Sequence, residues 1–464
     1  MLPAALMVVR NSPFHPRTAS NPQQSIKIRS RLAFVQVSLP CVWPLLRLNV
    51  LRMVPVGADC KAADTDCREL RPQHGDRNES SNNFVSLSGF SLTDKMNNEN
   101  DFSRLELSVP ASRNNYRYFR SLLKPSTRLL VLVKANAYGH GAVEFASMLQ
   151  AEGADYLAVA LPVEGVELRR NGISLPILVL TAGTDFFPEI IDYRLEPGIP
   201  NLYTLEALCR TLRERGLKSW PVHIKLDTGM HRLGFMPDEL PALEAFLKAH
   251  DEVRVKSVYS HLAAAEDPAE DEFTLSQIRL FREGAEELGA AIGYRPLWHI
   301  LNSAGIERFP QYQFDMVRLG IGIYGISALP GVSLDPVASL KVKVLQVKKL
   351  RPGDTVGYGR RGRVTGEGME TATIPVGYAD GIDRHLGCGA ASFSVNGHRA
   401  PTIGNICMDM CMLDVSGLGV KAGDTVTIFG KDPTISELAG ILGTIPYEIL
   451  TSVPHRIERI IVKK

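Results

Sequence analysis

The stretch RLLVLVKANAYGHGAVEFASML, residues 128–149, decides the fold. Leu129 to Val133 are consecutively apolar, the pattern of a fully buried strand, and a Gly-containing turn bounds them. From Ala142 onward the pattern reads as a helix. Lys134 stands between the two. A lysine that ends a buried strand is poorly solvated, so it is either paired or chemically employed.

From about residue 102 the chain repeats this unit, alternating short apolar runs with amphipathic stretches, the signature of βα units around a parallel sheet. The expected strands are Leu129–Val133, Tyr156–Ala160, Ile177–Leu180, a weak one at Leu195–Pro200, Val222–Leu226, Val253–Ser260, Leu297–Leu301 and Phe314–Val317. Eight such strands predict an α/β protein built on a TIM-type (β/α)8 barrel, whose active site gathers at the carboxyl ends of the strands. A doubly wound open sheet is the alternative. It calls for a Gly-rich phosphate turn after its first strand, and KANAYGHG lacks the G-x-G-x-x-G spacing.

After Leu340 the pattern changes to period-two segments between Gly-containing turns: LKVKVLQVKKL, METATIPVGY, ASFSVNG, DTVTIFG and RIERIIVKK. These describe a mainly antiparallel β domain. One helix interrupts it, starting at Thr434, with Glu437 three positions on to complete a capping box. The expected division is a barrel over residues 102–335 and a β-rich domain over 336–464.

Residues 1–101 read differently. The first 58 residues hold seven Arg and Lys and no acid, and an Asn- and Asp-rich stretch follows to about Asp101. Prolines at 40 and 44 break any amphipathic leader helix, and Arg47 and Arg52 interrupt the apolar stretch before it could span a bilayer. A disordered extension is the expectation, and Met96 would make a sensible alternative start.

Over 464 residues, 45% are hydrophobic and 22% charged, an ordinary soluble composition with room for two domains. A formal net charge of +2 gives no electrostatic reason to expect nucleic acid or an anionic membrane as partner, so the expected substrate is small. Seven cysteines in no paired pattern argue against a disulfide framework and for a reducing, cytoplasmic compartment. Cys407 and Cys411 have no further Cys or His nearby to complete a metal set, and no metal is expected.

Polar residues follow the expected strands: Lys134 the first, Lys225 to Arg232 (KLDTGMHR) the fifth, His261 the sixth, Asn302 and Ser303 the seventh, Arg318 to Gly320 the eighth. Singly, each has a bland reading: a rim histidine, a salt-bridge arginine, a helix cap at NSAG. Jointly they point to an anionic cofactor or substrate, because hydroxyls and free backbone N–H groups bind phosphate. A lysine with its pKa lowered by desolvation, facing a phosphate site, is what a pyridoxal phosphate enzyme needs for its Schiff base.

On VKANAYGHG, KLDTGMHRLGF, SHLAAAED, NSAG, VRLGIGIYG, VGYG, PVGYADG, ICMDM and PYE, in that order, the sequence resembles the alanine racemases over roughly residues 102–464. The resemblance implies a homodimer with shared active sites, pyridoxal 5'-phosphate as cofactor and alanine as substrate, with D-alanine supplied to peptidoglycan. It implies that Lys134 carries the cofactor, that Tyr138, Ser303, Gly320, Ile321 and Tyr447 hold its phosphate, and that His261 and Asn302 also border it. Arg318 would face the pyridine nitrogen and, being unable to give up its proton, leave that nitrogen neutral. Racemisation needs proton-handling groups on both faces of a planar carbon. Lys134 would serve one face and Tyr358 of the neighbouring subunit the other, with His261 and Arg232 supplying positive field to the phenol. Arg232 and the main chain at Met408 would bind the substrate carboxylate, and Lys225 matches a position often carbamylated to fix that arginine. Tyr378 would narrow the entrance beside Tyr358 and Tyr447, and Cys407 and Asp409 flank Met408 in the family's CMD motif.

Two further enzyme readings share the barrel: a broad-spectrum racemase and a basic amino acid decarboxylase. The decarboxylases use a Cys and an acidic specificity residue across the dimer, whereas CMD follows the racemase pattern. A non-catalytic pyridoxal phosphate carrier lacks the β domain that bears Tyr358.

Overall fold

The computed structural model describes residues 102–463, so the expectation of a disordered extension over 1–101 lies outside the described residues. Nine strands open the chain: β1 (Ser103–Ser108), β2 (Arg128–Leu132), β3 (Tyr156–Val159), β4 (Ile177–Val179), β5 (Glu196–Ile199), β6 (Trp220–Lys225), β7 (Val253–Tyr259), β8 (Leu297–His299) and β9 (Met316–Leu319). All eight expected barrel strands are present as β2 to β9, including the weak one at Glu196–Ile199. They pair in parallel in the order β8-β7-β6-β5-β4-β3-β2-β9. The β8–β9 seam carries two backbone bonds, Asp315 N to the Trp298 carbonyl at 3.2 Å and Arg318 N to the Leu301 carbonyl at 3.0 Å, which bring the sheet round on itself.

Burial explains the apolar runs. Leu129, Leu130, Val131 and Val133 have no exposed surface, nor do Ile177, Leu178 and Val179, because each strand is covered by helices outside and by barrel filling inside. One connecting helix starts at a side-chain cap: Asn201 accepts from Thr204 N at 2.9 Å ahead of the helix Leu202–Glu214, which buries Leu205, Leu208 and Leu212 on one face.

The carboxyl-terminal part is mainly antiparallel, as the period-two segments predict. Its largest sheet has six strands, in the order His398–Pro401, Ser392–Val395, Thr425–Phe429, β10 (Ala338–Lys343), β1 and Glu458–Val462. The run LKVKVLQVKKL divides between two sheets: β10 joins the six-stranded sheet, and Gln346–Leu350 pairs with Met369–Ile374 in a three-stranded sheet. β1, at the amino-terminal edge of the span read as barrel, belongs to the six-stranded sheet, antiparallel to β10 and parallel to Glu458–Val462. Its alternation, SRLELS, buries Leu105 and Leu107 on one face, which suits a one-sided sheet and not a barrel wall. The helix Ile435–Leu442 starts as expected, with Thr434 Oγ1 accepting from Glu437 N at 3.1 Å. The reciprocal half of that box is replaced, because the Glu437 carboxylate pairs with Arg399 at 2.7 Å.

Arg459, in the final strand, donates to the carbonyl of Gly139 at 3.1 Å and to those of Val453, Pro454 and Ile457. The β domain is thereby tied to the turn that follows Lys134. Among the described residues no helix is long and apolar enough to cross a membrane.

Candidate active site

The turn after β2 is not a simple glycine turn. Ala135, Asn136, Ala137 and Tyr138 all have φ between 51 and 54°, a left-handed turn of four side-chain-bearing residues ahead of Gly139. Each such residue costs roughly 1–2 kcal/mol, so the turn persists only because its surroundings dictate it. Asn136 Oδ1 accepts from Ala142 N at 2.8 Å, starting the next helix, and Glu164 Oε1 accepts from Ala135 N at 2.6 Å. The buried His140 Nδ1 lies 3.0 Å from the carbonyls of both Ala137 and Tyr138. Carbonyls only accept, so Nδ1 carries the proton and Nε2 is bare.

This turn delivers Lys134 and Tyr138 into a cavity of about 680 Å³ at the carboxyl ends of the strands. The cavity is also lined by Lys225, Arg232, His261, Asn302, Ser303, Arg318, Gly320, Ile321 and Tyr447, so the structure brings together eleven of the residues expected from sequence. Among its lining side chains four are basic (Lys134, Lys225, Arg232, Arg318) and only Glu266 is acidic. Burial, and then the nearby Arg232, lowers the Lys134 pKa, while Glu164 acts in the opposite direction. Lys225 is lowered to about 8, chiefly by burial and then by Arg232 and Arg318, and its Nζ donates to the Leu233 carbonyl at 2.6 Å. The loop presenting Arg232 is held by Asp227, whose Oδ1 accepts from Gly229 N and His231 N.

At one end of the cavity Ser303 Oγ lies 2.9 Å from Gly320 N and 3.2 Å from Gly322 N. A Cβ on Gly320 would fall 3.1 Å from Tyr138 Oη and 3.7 Å from Ser303 Oγ, filling the cradle these groups form. Hydroxyls, glycine N–H groups and surrounding cations fit a phosphorylated cofactor, and a lysine of lowered pKa fits a carbonyl on it. Asn302 keeps its bland role as well: its Oδ1 caps the helix Ser303–Arg308 by accepting from Gly305 N at 2.9 Å. Tyr138 packs against Tyr324 and Tyr447, with ring centroids 4.6 and 5.7 Å away.

Arg318 is buried and almost fully bonded. It donates to His299 Nδ1 at 2.9 Å, to the carbonyls of His299, Ser260 and Ile300, and to His261 Nδ1 at 3.2 Å. Burial lowers its pKa to about 10, which still leaves it cationic at neutral pH. Because arginine can only donate, both histidines present a bare Nδ1 to it and carry their proton on Nε2. His299 Nε2 then meets Ser257 Oγ at 2.8 Å, Ser257 meets His223 Nδ1 at 2.5 Å, and His223 Nε2 meets Glu196 at 2.7 Å. This polar chain through the barrel interior escaped the sequence reading. Its only signal is alternation: His223, Ser257 and His299 are inward positions of β6, β7 and β8.

One expectation is corrected. His261 was read as a cation supplying field to a phenol, but burial and then Arg318, Arg232, Lys225 and Lys134 drive its pKa well below the ordinary value. It is neutral at neutral pH and offers an Nε2–H donor; the positive field belongs to the arginines and lysines.

Five expected residues are elsewhere. Tyr358, Tyr378, Cys407, Met408 and Asp409 do not line the cavity of their own chain, and within one chain Tyr358 and Tyr378 do not meet Tyr447 there. They group on the β domain. Asn405 Nδ2 donates to the Tyr358 carbonyl at 2.9 Å, and Tyr378 N and Ala379 N donate to the carbonyls of Cys407 and Met408 at 3.0 Å each. Arg456 joins Asp380 at 2.7 Å and Asp409 at 2.9 Å, which fixes the two loops together. Tyr358 is 73% exposed, and Tyr378, Met408 and Met410 are exposed as well. Among the described residues no cluster of His, Cys, Asp or Glu could hold a metal ion. A second hollow of about 310 Å³, lined by Pro162, Val166 and Phe186 among others, contains none of the strand-end residues.

Comparison with known proteins agrees with this geometry. The family described as alanine racemase, N-terminal domain, matches residues 107–328, and alanine racemase, C-terminal domain, matches residues 337–461. The chain is 38% identical over 371 residues to an alanine racemase of Methanococcus maripaludis, covering 76% of this chain and 97% of that protein. It is 37% identical over 350 residues to alanine racemase 1 of Clostridium acetobutylicum, covering 73% and 90%. A solved alanine racemase of Clostridium difficile superposes with a TM-score of 0.74 at 32% identity, covering 78% of this chain and 96% of that one. That of Bartonella henselae, solved with covalently bound pyridoxal phosphate, gives 0.71 at 29% identity, covering 78% and 100%.

Proposed function

Since the chain belongs to the alanine racemase family, and is a pyridoxal phosphate-dependent isomerase that interconverts L- and D-alanine, we propose that Lys134 and the Tyr358 of a second copy are its two proton-handling groups. The cofactor, when bound, supplies an electron-withdrawing ring that makes the α-proton of alanine removable. The chain's residues do the rest. Lys134 would hold the cofactor through its amine and would move a proton at the α-carbon on one face. Its lowered pKa favours the neutral amine needed to hold the cofactor and to take the proton, and the ammonium formed in that step returns it in the reverse direction.

Tyr138, Ser303, Gly320 and Ile321, with Tyr447, would hold the phosphate. Arg318, locked as a donor by two histidines and three carbonyls, can accept no hydrogen bond and would leave a ring nitrogen placed beside it unprotonated. Arg232 binds the substrate carboxylate with the main chain at Met408. A Lys225 titrating at about 8 is partly neutral at physiological pH, which favours its carbamylation and pairing with Arg232.

The phenol that serves the opposite face comes from the exposed patch of a partner. Tyr358, Tyr378, Met408 and Met410 are exposed on the loops of the β domain, and a homodimer that seats these loops over the neighbouring cavity would cover them. Barrel residues up to 335, with β1 lent to the second sheet and Tyr447 added from the second domain, would then hold cofactor, and the loops bearing Tyr358 and Met408 would complete the partner's site. We place the reaction in the cytoplasm, in keeping with four free cysteines among the described residues, and assign its product to cell-wall peptidoglycan.

The observation that carries this reading is Lys134 in a cavity lined by four bases and one acid. Replacing Lys134 with Ala should abolish the visible absorbance of the bound cofactor. Retention of that band would show that another lysine holds it.

A further inference from the structure

We propose that Glu164 is a positioning residue for Lys134: its carboxylate clamps the peptide that follows the lysine to the end of the neighbouring barrel strand. The inference rests on the reading that Lys134 bonds the cofactor. Glu164 lies in the third position of the helix Pro162–Arg170, and one of its oxygens has an ordinary duty there. Oε2 accepts from Leu161 N at 2.9 Å and Ala160 N at 2.8 Å, closing the start of its own helix. The other oxygen does something a cap does not require. Oε1 turns to the adjacent βα unit and accepts from Ala135 N at 2.6 Å, the first N–H beyond Lys134.

That N–H opens the left-handed turn. Ala135, Asn136, Ala137 and Tyr138 hold a conformation that L-residues avoid, so the direction in which Lys134 leaves the strand is not secured by local preference. An ionised acceptor at the first peptide of the turn is the strongest single restraint available to it, because a charged acceptor bonds an amide about twice as strongly as a neutral one. Asn136 and His140 restrain the later peptides. Val133 N already donates to the Ala158 carbonyl of β3 at 2.9 Å, and Glu164 extends that tie past the lysine by joining the Lys134–Ala135 peptide to Ala160, the residue after β3, which pairs directly with β2 in the barrel wall. The negative charge also opposes the loss of basicity that burial and Arg232 impose on the Lys134 amine.

The discriminating variant is Glu164→Gln. Glutamine at this position of a helix caps as well as glutamate, but it offers one acceptor oxygen in place of two; two donors, Ala160 N and Leu161 N, draw that oxygen to the cap against the single donor Ala135 N, which is left facing an amide that cannot accept. In the full chain with its cofactor, hydrogen exchange of the segment 133–141 should accelerate about tenfold or more, while the segment 162–170 stays within about twofold of the parent. The rate kcat should fall about tenfold to hundredfold with KM for alanine nearly unchanged, as expected when a reacting amine is displaced by a fraction of an ångström. Borohydride reduction and peptide mapping should still find the cofactor on Lys134. Glu164→Asp, which keeps the charge but falls one methylene short of Ala135, should give the same pattern, so a stability defect peculiar to either variant does not decide the outcome. Unchanged exchange over 133–141 together with kcat within twofold of the parent, or faster exchange confined to 162–170, overturns the proposal. A cofactor found on another lysine in the parent protein instead removes the reading of Lys134.

Discussion

His140 should make the acid limb of this protein's stability steeper, and the size of the effect follows from its surroundings. Its ring is buried, Nδ1–H serves the carbonyls of Ala137 and Tyr138, and Nε2 has no partner among the described residues. Protonation would therefore place a charge where nothing accepts the new N–H, and burial lowers the pKa to about 4. In the unfolded chain the same ring titrates near 6.5. The folded value lies below the unfolded one, so the neutral ring's contribution is complete above pH ~6.5 and is lost as pH falls towards 4. From pH 7 to pH 4 the loss amounts to about 3 kcal/mol, close to ~1.4 kcal/mol per pH unit in the middle of the window. The perturbation is His140→Gln, which retains a donor and cannot charge. Urea unfolding of both proteins at intervals between pH 7 and pH 4 isolates this one group, because the other buried histidines titrate in both. The variant should lose about 3 kcal/mol less than the parent across that window, whatever its offset at pH 7. Since His140 binds the turn that carries Lys134 and Tyr138, the parent should also release cofactor more readily at the acid end. Parallel limbs for the two proteins would refute the reasoning.

Further outcomes follow from the same geometry. Tyr358→Phe should leave stability within about 0.5 kcal/mol, since the side chain is exposed, while slowing proton transfer on one face by about 10²–10⁴-fold; α-deuterium exchange from each enantiomer of alanine separates the faces, and equal small losses in both directions would remove Tyr358 from the mechanism. Mixing Lys134→Ala with Tyr358→Phe protomers should restore partial activity through one intact composite site, and failure to complement would count against sharing between subunits. Ser257→Ala should destabilise the fold by about 2–4 kcal/mol, because it leaves His223 and His299 without their common partner inside the barrel; denaturant titration at pH 7 reads this, and a loss below about 0.5 kcal/mol would mean that the polar chain contributes little. Racemisation rates over a panel of amino acids, with added pyridoxal phosphate, should fall steeply beyond alanine, whereas comparable rates for large basic substrates would favour the broad-spectrum reading.

Much of the fold was legible because its signals are short-ranged. The apolar run 129–133, repeated in kind at seven further places and alternating with amphipathic stretches, marks the strands of a parallel sheet, and period-two segments after Leu340 mark the one-sided sheets. The boundary of the first strand was less legible: SRLELS alternates clearly, but nothing in six residues says that the partner strand lies more than two hundred residues away. Eight of the cavity residues, Lys134, Lys225, Arg232, His261, Asn302, Ser303, Arg318 and Gly320, were legible because a strand end is a position along the chain, and barrel closure turns equal positions into one rim, whereas Tyr138, Ile321 and Tyr447 came only from the family resemblance. Four left-handed residues at 135–138 were not, since alanine and tyrosine there carry no sign of a conformation that only their neighbours enforce.

By itself, then, the order of residues determined the sequence of strands and helices, the two kinds of sheet, and a lysine placed where a strand runs out. Tertiary structure alone decided the charge and orientation of what surrounds that lysine. His261 is neutral because Arg318, from two strands on in the barrel, takes its Nδ1 as an acceptor and burial withholds water; Glu164 reaches Ala135 because β2 and β3 lie side by side; Tyr358 stands outside its own chain's cavity because the β domain turns it to solvent. Periodicity is a property of neighbours along a chain, whereas protonation and reach depend on neighbours in space, and these exist only after the barrel has closed.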